Sequence, residues 1–532
     1  MQQLTALDVM FSSLDTETTN GMLGALIRFE PPTDGRPHAD AAFVRARIGE
    51  RLPYLPPLHR RVVKVPLGLE HDYLGRADRI DLLKHVRTVR LPFPGMQAQL
   101  ADEVSRIMSS SLDPDLPPWD YTVIEGLEDG SVAHLLRIHH LVIDGGSMPV
   151  LWDALSDKPT QPLVLDPGSE HHEPRWGRPE MLVRELAGLA NKPSQLSMLV
   201  LHYLQWQLDE VKKHGLLAPV AMPMRLLLPG PFAAPAKRLL NERLRAAGIA
   251  PIEPFLPVLD PPSTPFNGRV GSERTFAFDD LSLADFREAG KALGGTINDV
   301  VLGVSAGALR RYLRSRGIPA DKPLIVSVPV TIRGKDETLQ WANFVSMIFT
   351  ELPTHLDDPV ARVRAAKASV RAAKGSFDAM PTTLLREASQ FIPAAMFNTA
   401  MRLMVKLPDK VSKGPNNVVI SNVKGPVEPI VLDGVKIKGY WPASFLSVGG
   451  GINITLQSYT DRVCFGFMGN PQQVGDIAPL VDFMRESLAE TMEAAAKVRE
   501  REAARGTGVP AASRGSKPPR RLAAVPRPAT GT

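Results

Sequence analysis

Two adjacent histidines open the stretch most able to do chemistry: His139-His140-Leu141-Val142-Ile143-Asp144-Gly145-Gly146. Histidine is the usual general base near neutral pH, because its ordinary proton affinity lies there. The apolar spacer implies a dry surrounding, Asp144 would orient the loop or receive a cation, and the two glycines allow a sharp turn and close backbone approach. Paired histidines also suit a metal, but a metal site needs a third and fourth ligand. The candidates, His171 and His172, lie in a polar, loop-like stretch between Glu170 and Glu173.

A second stretch spells a nucleophile. Gly303-Val304-Ser305-Ala306-Gly307 matches the G-x-S-x-G elbow of hydrolases, which needs a strand, a sharp turn and then a helix. Here Ile297, Val300, Val301, Val304, Ala308 and Tyr312 keep a helical period straight through the motif. The small residues then serve close helix packing. The single cysteine, Cys464, excludes a disulfide framework and a cysteine-based zinc site, and its apolar run marks it as a small buried hydrophobe.

The elements that must position these groups can be read from local pattern. Tyr121–Leu127 and Val132–His139, joined at Asp129-Gly130, predict a hairpin whose second strand ends on the histidines. Ser147 is expected to cap a short helix through Leu155. Met22–Pro31 reads as a strand, and Met96, Leu100, Val104, Ile107 and Met108 give 95–110 the face of an amphipathic helix. In the second half, Thr275–Phe278, Leu324–Val330, Phe344–Pro353, Asn416–Val423, Ile452–Leu456 and Val463–Phe467 read as strands. Leu281–Leu293, Thr296–Arg316 and 474–503 read as helices.

Composition bounds the rest. The 532 residues are 44% hydrophobic and 22% charged, ordinary for a globular chain of two to four domains of ~100–200 residues. That excludes wholesale disorder, a fibre and a multi-span membrane protein. The net charge of +5 sits entirely in Arg514, Lys517, Arg520, Arg521 and Arg527, leaving 57 basic residues to 57 acidic ones. A neutral body argues against a nucleic-acid partner. The same proline-rich tail reads as disordered, with weak attraction to anionic lipid as its functional alternative. No targeting segment is visible, and the uncharged stretch Gly439–Thr460 holds glycines and a proline rather than ~20 apolar helical residues. The expectation is a cytoplasmic protein, with a peripheral place on the inner face of the cell membrane or on lipid inclusions as the variant. The helix 194–208 and the segment Phe391–Met401 are the candidate lipid-facing elements.

HHxxxDG resembles the signature of the CoA-dependent acyltransferase superfamily. Further segments resemble the bacterial wax ester synthase/diacylglycerol acyltransferase family. They are Leu4–Phe11 with Gly21–Leu26; Pro117-Pro118-Trp119, with Pro118 in place of a leucine; and Asn298-Asp299. Val328–Arg333 with Asn343 and Ser421–Pro426, where Lys424 replaces a proline, complete the set. These ordered matches run from about residue 4 to about 500.

The resemblance implies an α/β (α+β) fold of two chloramphenicol acetyltransferase-like domains with the active site at their interface. The expected division is 1–180 for the domain carrying HHxxxDG, 181–270 for a helical and proline-rich connector, 271–503 for the second domain and 504–532 for the tail. It implies an O-acyltransferase that moves a long acyl chain from acyl-CoA to diacylglycerol or a long-chain alcohol, with acyl-CoA as substrate and no cofactor. His140 would be the general base in a direct attack without an acyl-enzyme, braced by His139. Asp144 would be structural, paired with Arg333. Gly145 and Gly146 would make the turn. Asn298, Asp299 and Asn422 would support the site. Asp299 has a plainer reading as the partner of Thr296 in a capping box, and Trp119 as a core residue. The alternatives are a lipase using Ser305, a condensation-type enzyme fed by carrier-protein thioesters, and a non-catalytic lipid-binding relative.

Overall fold

The computed structural model describes residues 1–166 apart from 5–7, 9–10, 12–14, 16–17, 32, 34–37, 67–70 and 78; then 177, 179–184, 261–331, 341, 345–378, and 416–506 apart from 448. Arg333, His171, His172, the helix expected over 194–208, the segment Phe391–Met401 and nearly all of the tail lie outside the described residues. Of the connector, only 181–184 and 261–270 are described.

Two six-stranded mixed sheets carry the fold. The first uses β2 (Met22–Phe29), β5 (Val86–Arg90), β6 (Trp119–Glu125), β7 (Ala133–His139), β12 (Val431–Leu432) and β13 (Val435–Ala443), in the order β12-β13-β2-β7-β6-β5. The second uses β8 (Thr275–Ser282), β9 (Leu324–Thr331), β10 (Val345–Leu352), β11 (Val418–Val423), β14 (Ile452–Tyr459) and β15 (Arg462–Gly469), in the order β10-β9-β11-β14-β15-β8. A small sheet of β1 (Gln2–Gln3), β3 (Arg60–Val63) and β4 (Tyr73–Arg76) flanks the first.

The sheets do not follow the division of the chain at 180 and 271. Strand β13 comes from the second half yet pairs antiparallel with β2, placing Trp441 opposite Leu26 and Ala443 opposite Gly24. The reason is burial: β2 is buried along nearly its whole length and would be an open apolar edge without this partner.

The hairpin forms as its sequence predicts, with β6 antiparallel to β7 and β7 antiparallel to β2, so that His139 lies opposite Met22. Helix α2 (Gln97–Met108) follows α1 (Ala41–Arg51) and buries Leu100, Val104, Ile107 and Met108. Met96 falls outside that apolar face. It is the N-cap residue and stands exposed, because the Gln99 side chain turns back to accept from the Gly95 and Met96 amides and starts the helix after Met96. Arg137, two residues before His139, ties strand to helix. Its guanidinium grips Asp120 and donates to the Ile107 and Ser110 carbonyls at the end of α2.

Four helices cover the outer face of the second sheet: α4 (Leu283–Leu293), α5 (Ile297–Ser315), α6 (Pro359–Asp378) and α7 (Pro479–Gly506). Helix α3 (Met148–Leu155), just after the loop that carries the site, belongs to the first core, where Met148, Leu151, Trp152, Ala154 and Leu155 are buried. The inner face of the second sheet meets the first sheet: Cys464, Met468, Phe276 and Phe278 join the first core. At Gly466 the two sheets approach so closely that a Cβ would stand 2.0 Å from the Pro442 carbonyl oxygen, so a side chain is excluded there. Among the described residues no single helix is long and apolar enough to cross a membrane. The bent pair α4–α5 is apolar because it is core.

Candidate active site

Strand β7 ends on His139, and the chain turns at His140 directly over the junction of the sheets. The His140 amide donates to the Gly21 carbonyl at 2.8 Å. Its ring stacks on Phe11 at 3.9 Å with an interplanar angle of 2°, and the edge of Phe445 closes another side. Burial pushes His140 down to about 4, with the nearby Asp144 charge opposing the shift. The imidazole is therefore neutral at pH 7. Its Nδ1 is enclosed without a partner, so the ring presents Nε2 to the open space beside it.

That space is a cavity of about 250 Å³ between the two sheets. Leu23, Gly24, Tyr440 and Pro442 line it from the first sheet; Pro329, Met347, Val419, Asn453, Thr455 and Gln457 line it from the second. Apolar side chains dominate the wall, the setting that suits an acyl chain and strengthens any polar contact made inside.

His139 is turned away from this chemistry. Its Nε2 lies 3.0 Å from the Asp15 carboxylate, while its Nδ1 accepts from the Leu141 amide at 3.0 Å. These partners fix the tautomer with the proton on Nε2. His139 is thereby tied to the turn that carries His140.

Asp144 holds the loop through Ser147, whose amide and hydroxyl both donate to Oδ1 at 2.8 and 2.7 Å. Ser147 consequently does not cap α3 with its side chain as expected; it sits in helical backbone geometry with its hydroxyl already committed to Asp144. The pairing of Asp144 with Arg333 falls outside the described residues. Gly145 and Gly146 lie in the turn, but neither has a positive φ. A Cβ on Gly145 would meet only Val423 at 3.7 Å, an ordinary contact. Since both glycines line the cavity, what they supply is space beside His140 rather than unusual backbone geometry.

Asp299 sits in the plain place. Its carboxylate accepts from the Thr296 amide and hydroxyl while Thr296 Oγ1 accepts from the Asp299 amide, a complete capping box at the start of α5. Neither it nor Asn298 lines the cavity. Asn422 does line it, from the exposed end of β11, with Lys424 at the same rim. Trp119 is core, stacked on His85 and donating its indole N–H to the Leu58 carbonyl.

The lipase alternative fails on geometry. Ser305 is fully buried in the middle of the unbroken helix α5, with no strand or sharp turn before it. Gly303 and Gly307 are small because helices crowd them: a Cβ would stand 2.5 Å from Val363 and 2.1 Å from the Ser487 hydroxyl. Among the described residues no group of three or more His, Cys, Asp or Glu is placed to hold a metal.

The motifs left several site groups unnamed: Asp15, which orients His139; Phe11 as the ring that dries His140; and Phe445, Tyr440 and Gln457 in the cavity wall. Phe11 ends one of the segments that carry the resemblance, which was the available signal. Asp15, Phe445 and Gln457 had none, because their partners are far away in sequence.

Known proteins resemble this chain along most of its length. The profile of the wax ester synthase/diacylglycerol acyltransferase catalytic domain matches residues 4–301, and that of the family's C-terminal domain matches 341–492. A probable diacylglycerol O-acyltransferase of Mycobacterium tuberculosis is 30% identical over 489 residues, covering 92% of this chain and 98% of that one. The O-acyltransferase WSD of Acinetobacter baylyi is 29% identical over 507 residues, covering 92% and 96%. The wax ester synthase/diacylglycerol acyltransferase structure from Marinobacter aquaeolei shares the fold, with a TM-score of 0.61 at 24% identity, over 93% of this chain and 100% of that one.

Proposed function

Since the chain belongs to the wax ester synthase/diacylglycerol acyltransferase family, we propose that its two-sheet cavity is where a long acyl group passes from acyl-CoA to the hydroxyl of diacylglycerol, or of a long-chain alcohol. The enzyme is an O-acyltransferase. The observation that carries the mechanism is the neutral, buried His140 on the wall of an apolar cavity.

His140 Nε2 accepts the proton of the acceptor hydroxyl as the oxygen attacks the thioester carbonyl carbon. An alkoxide is too basic to exist free at pH 7, so a placed base contributes roughly 10²–10⁴ in rate. The tetrahedral intermediate collapses by breaking the C–S bond, and the proton on His140 passes to the departing thiolate. The products are the ester and CoA, His140 ends as it began, and no acyl-enzyme or cofactor takes part. His139, held by Asp15, and Asp144, held to Ser147, act only through the position of His140.

The acceptor is a lipid, and a peripheral seat on a lipid surface accompanies this reading. Phe93 is 96% exposed beside exposed Met96 in the loop after β5, whose Arg87 and Arg90 are also exposed. Apolar tips flanked by cations suit an anionic lipid surface. The test is radiolabelled palmitoyl-CoA offered with dipalmitoylglycerol and with hexadecanol, using wild type and His140→Ala. Labelled ester that disappears in the variant is expected; ester formation that survives it removes His140 as the base.

A further inference from the structure

Strand β14 lies inside the second sheet, between β11 and β15, with apolar matter on both sides. Strands so placed are normally apolar on both faces. One face of β14 obeys: Ile452, Ile454 and Leu456 belong to the second core. The other face reads Asn453, Thr455, Gln457, and all three side chains line the cavity that holds His140.

Two of the three explain each other. Asn453 donates through Nδ2 to the Phe445 carbonyl at 2.9 Å, which fixes the loop carrying the ring beside His140. Its Oδ1 accepts from the Thr455 hydroxyl at 2.8 Å. Gln457 has no such use. It is 2% exposed, and its Nε2 is enclosed without any acceptor. Its neighbours across the strands are Val423 and Cys464, and a Cβ on Gly425 would stand 3.0 Å from Nε2. The Tyr440 hydroxyl is a polar neighbour of this amide on the same cavity wall. An amide donor left unpaired in a buried wall lowers stability, and a methionine or leucine of like size would not. Its placement in the cavity makes sense if a ligand supplies the acceptor.

We propose that Gln457 is a substrate-binding residue whose Nε2 donates a hydrogen bond to a substrate carbonyl oxygen in the cavity. This rests on the acyl-transfer reading, whose substrates carry carbonyls in two places: the thioester of the donor and the esters of a diacylglycerol. A bond to the thioester oxygen tightens as that oxygen becomes an oxyanion, and loss of one such donor lowers kcat by roughly 10²-fold.

The experiment compares wild type with Gln457→Met and Gln457→Leu, using palmitoyl-CoA and two acceptors. One is dipalmitoylglycerol; the other is 1,2-di-O-hexadecylglycerol, which keeps the hydroxyl and chains but has no carbonyl. The expected result is a kcat for the variants lowered about a hundredfold with a melting temperature unchanged or raised. Loss with both acceptors assigns the bond to the thioester; loss with the diester alone assigns it to the acceptor. Full activity in the variants with both acceptors overturns the proposal. So does a melting temperature that falls in step with activity in both variants, which is what a packing role predicts. Wild type that makes no ester from either acceptor overturns the acyl-transfer reading itself, an outcome separate from these.

Discussion

The acidity of His140 is set by what covers it, and that can be changed by one substitution. Phe11 lies flat on the imidazole at 3.9 Å and is itself 1% exposed. Phe11→Ala uncovers the ring to water and moves its pKa from about 4 toward its ordinary 6.5. Full relief is a shift of about 2.5 units, or about 3 kcal/mol of differential solvation. Only the neutral ring accepts a proton, so the acid limb of kcat/KM in wild type is expected near pH 4. At pH 5 a base of that acidity is roughly nine-tenths neutral, whereas a solvated one is about 3% neutral. The ratio of kcat/KM at pH 5 to that at pH 8 is thus expected to fall up to ~30-fold in the variant. The assay is ester formation from palmitoyl-CoA between pH 4 and 8, corrected for the folded fraction. That correction has a definite sign. With the folded pKa below the unfolded one, the unfolded chain binds more protons, so this part of the stability is complete above pH 6.5 and is lost as the pH falls toward about 4. Because Phe→Ala in a core costs about 3–5 kcal/mol, the variant is assayed well below its melting temperature. A wild-type limb at pH 6.5, or a limb that Phe11→Ala leaves in place, refutes the reasoning.

Four further outcomes follow from the packing. Ser305→Ala keeps full acyl-transfer activity, since the hydroxyl is buried in α5 without a partner, whereas Gly307→Val forces α5 off Ser487 and costs about 1–3 kcal/mol or more in denaturant titrations. Arg137→Ala leaves the buried Asp120 carboxylate to the exposed Arg87 and frees the end of α2, costing about 3 kcal/mol by thermal unfolding. Gly145→Val leaves the melting temperature nearly unchanged, because its Cβ has room, but narrows the cavity. Its kcat/KM for palmitoyl-CoA should fall at least tenfold against that for a short acyl-CoA, by a difference of about 1.4 kcal/mol.

Much of this protein can be read along the chain. The hairpin of β6 and β7 is signalled by two strand-like runs on either side of Asp129-Gly130, and its second strand delivers the two histidines. The helical period through Ser305 already denied the nucleophile elbow, and Thr296 with Asp299 spelled the capping box that the structure contains. The HHxxxDG stretch and the ordered segments around it carried the family. These signals are local, because hydrogen-bonding partners and turn geometry lie within a few residues.

The tertiary structure alone decided the state of the site. Asp15 reaches His139 across 124 residues of chain, and Phe11 reaches His140 across a similar span. Strand β13 crosses from the far half of the sequence to complete the sheet beneath them. Periodicity reports which side of an element is apolar, but not what is laid against it. The neutrality of His140, the space left by Gly145 and Gly146 and the orphaned amide of Gln457 all depend on solvent being excluded by distant residues. Desolvation is a property of the assembled fold, so the sequence could name the base but not set its proton affinity.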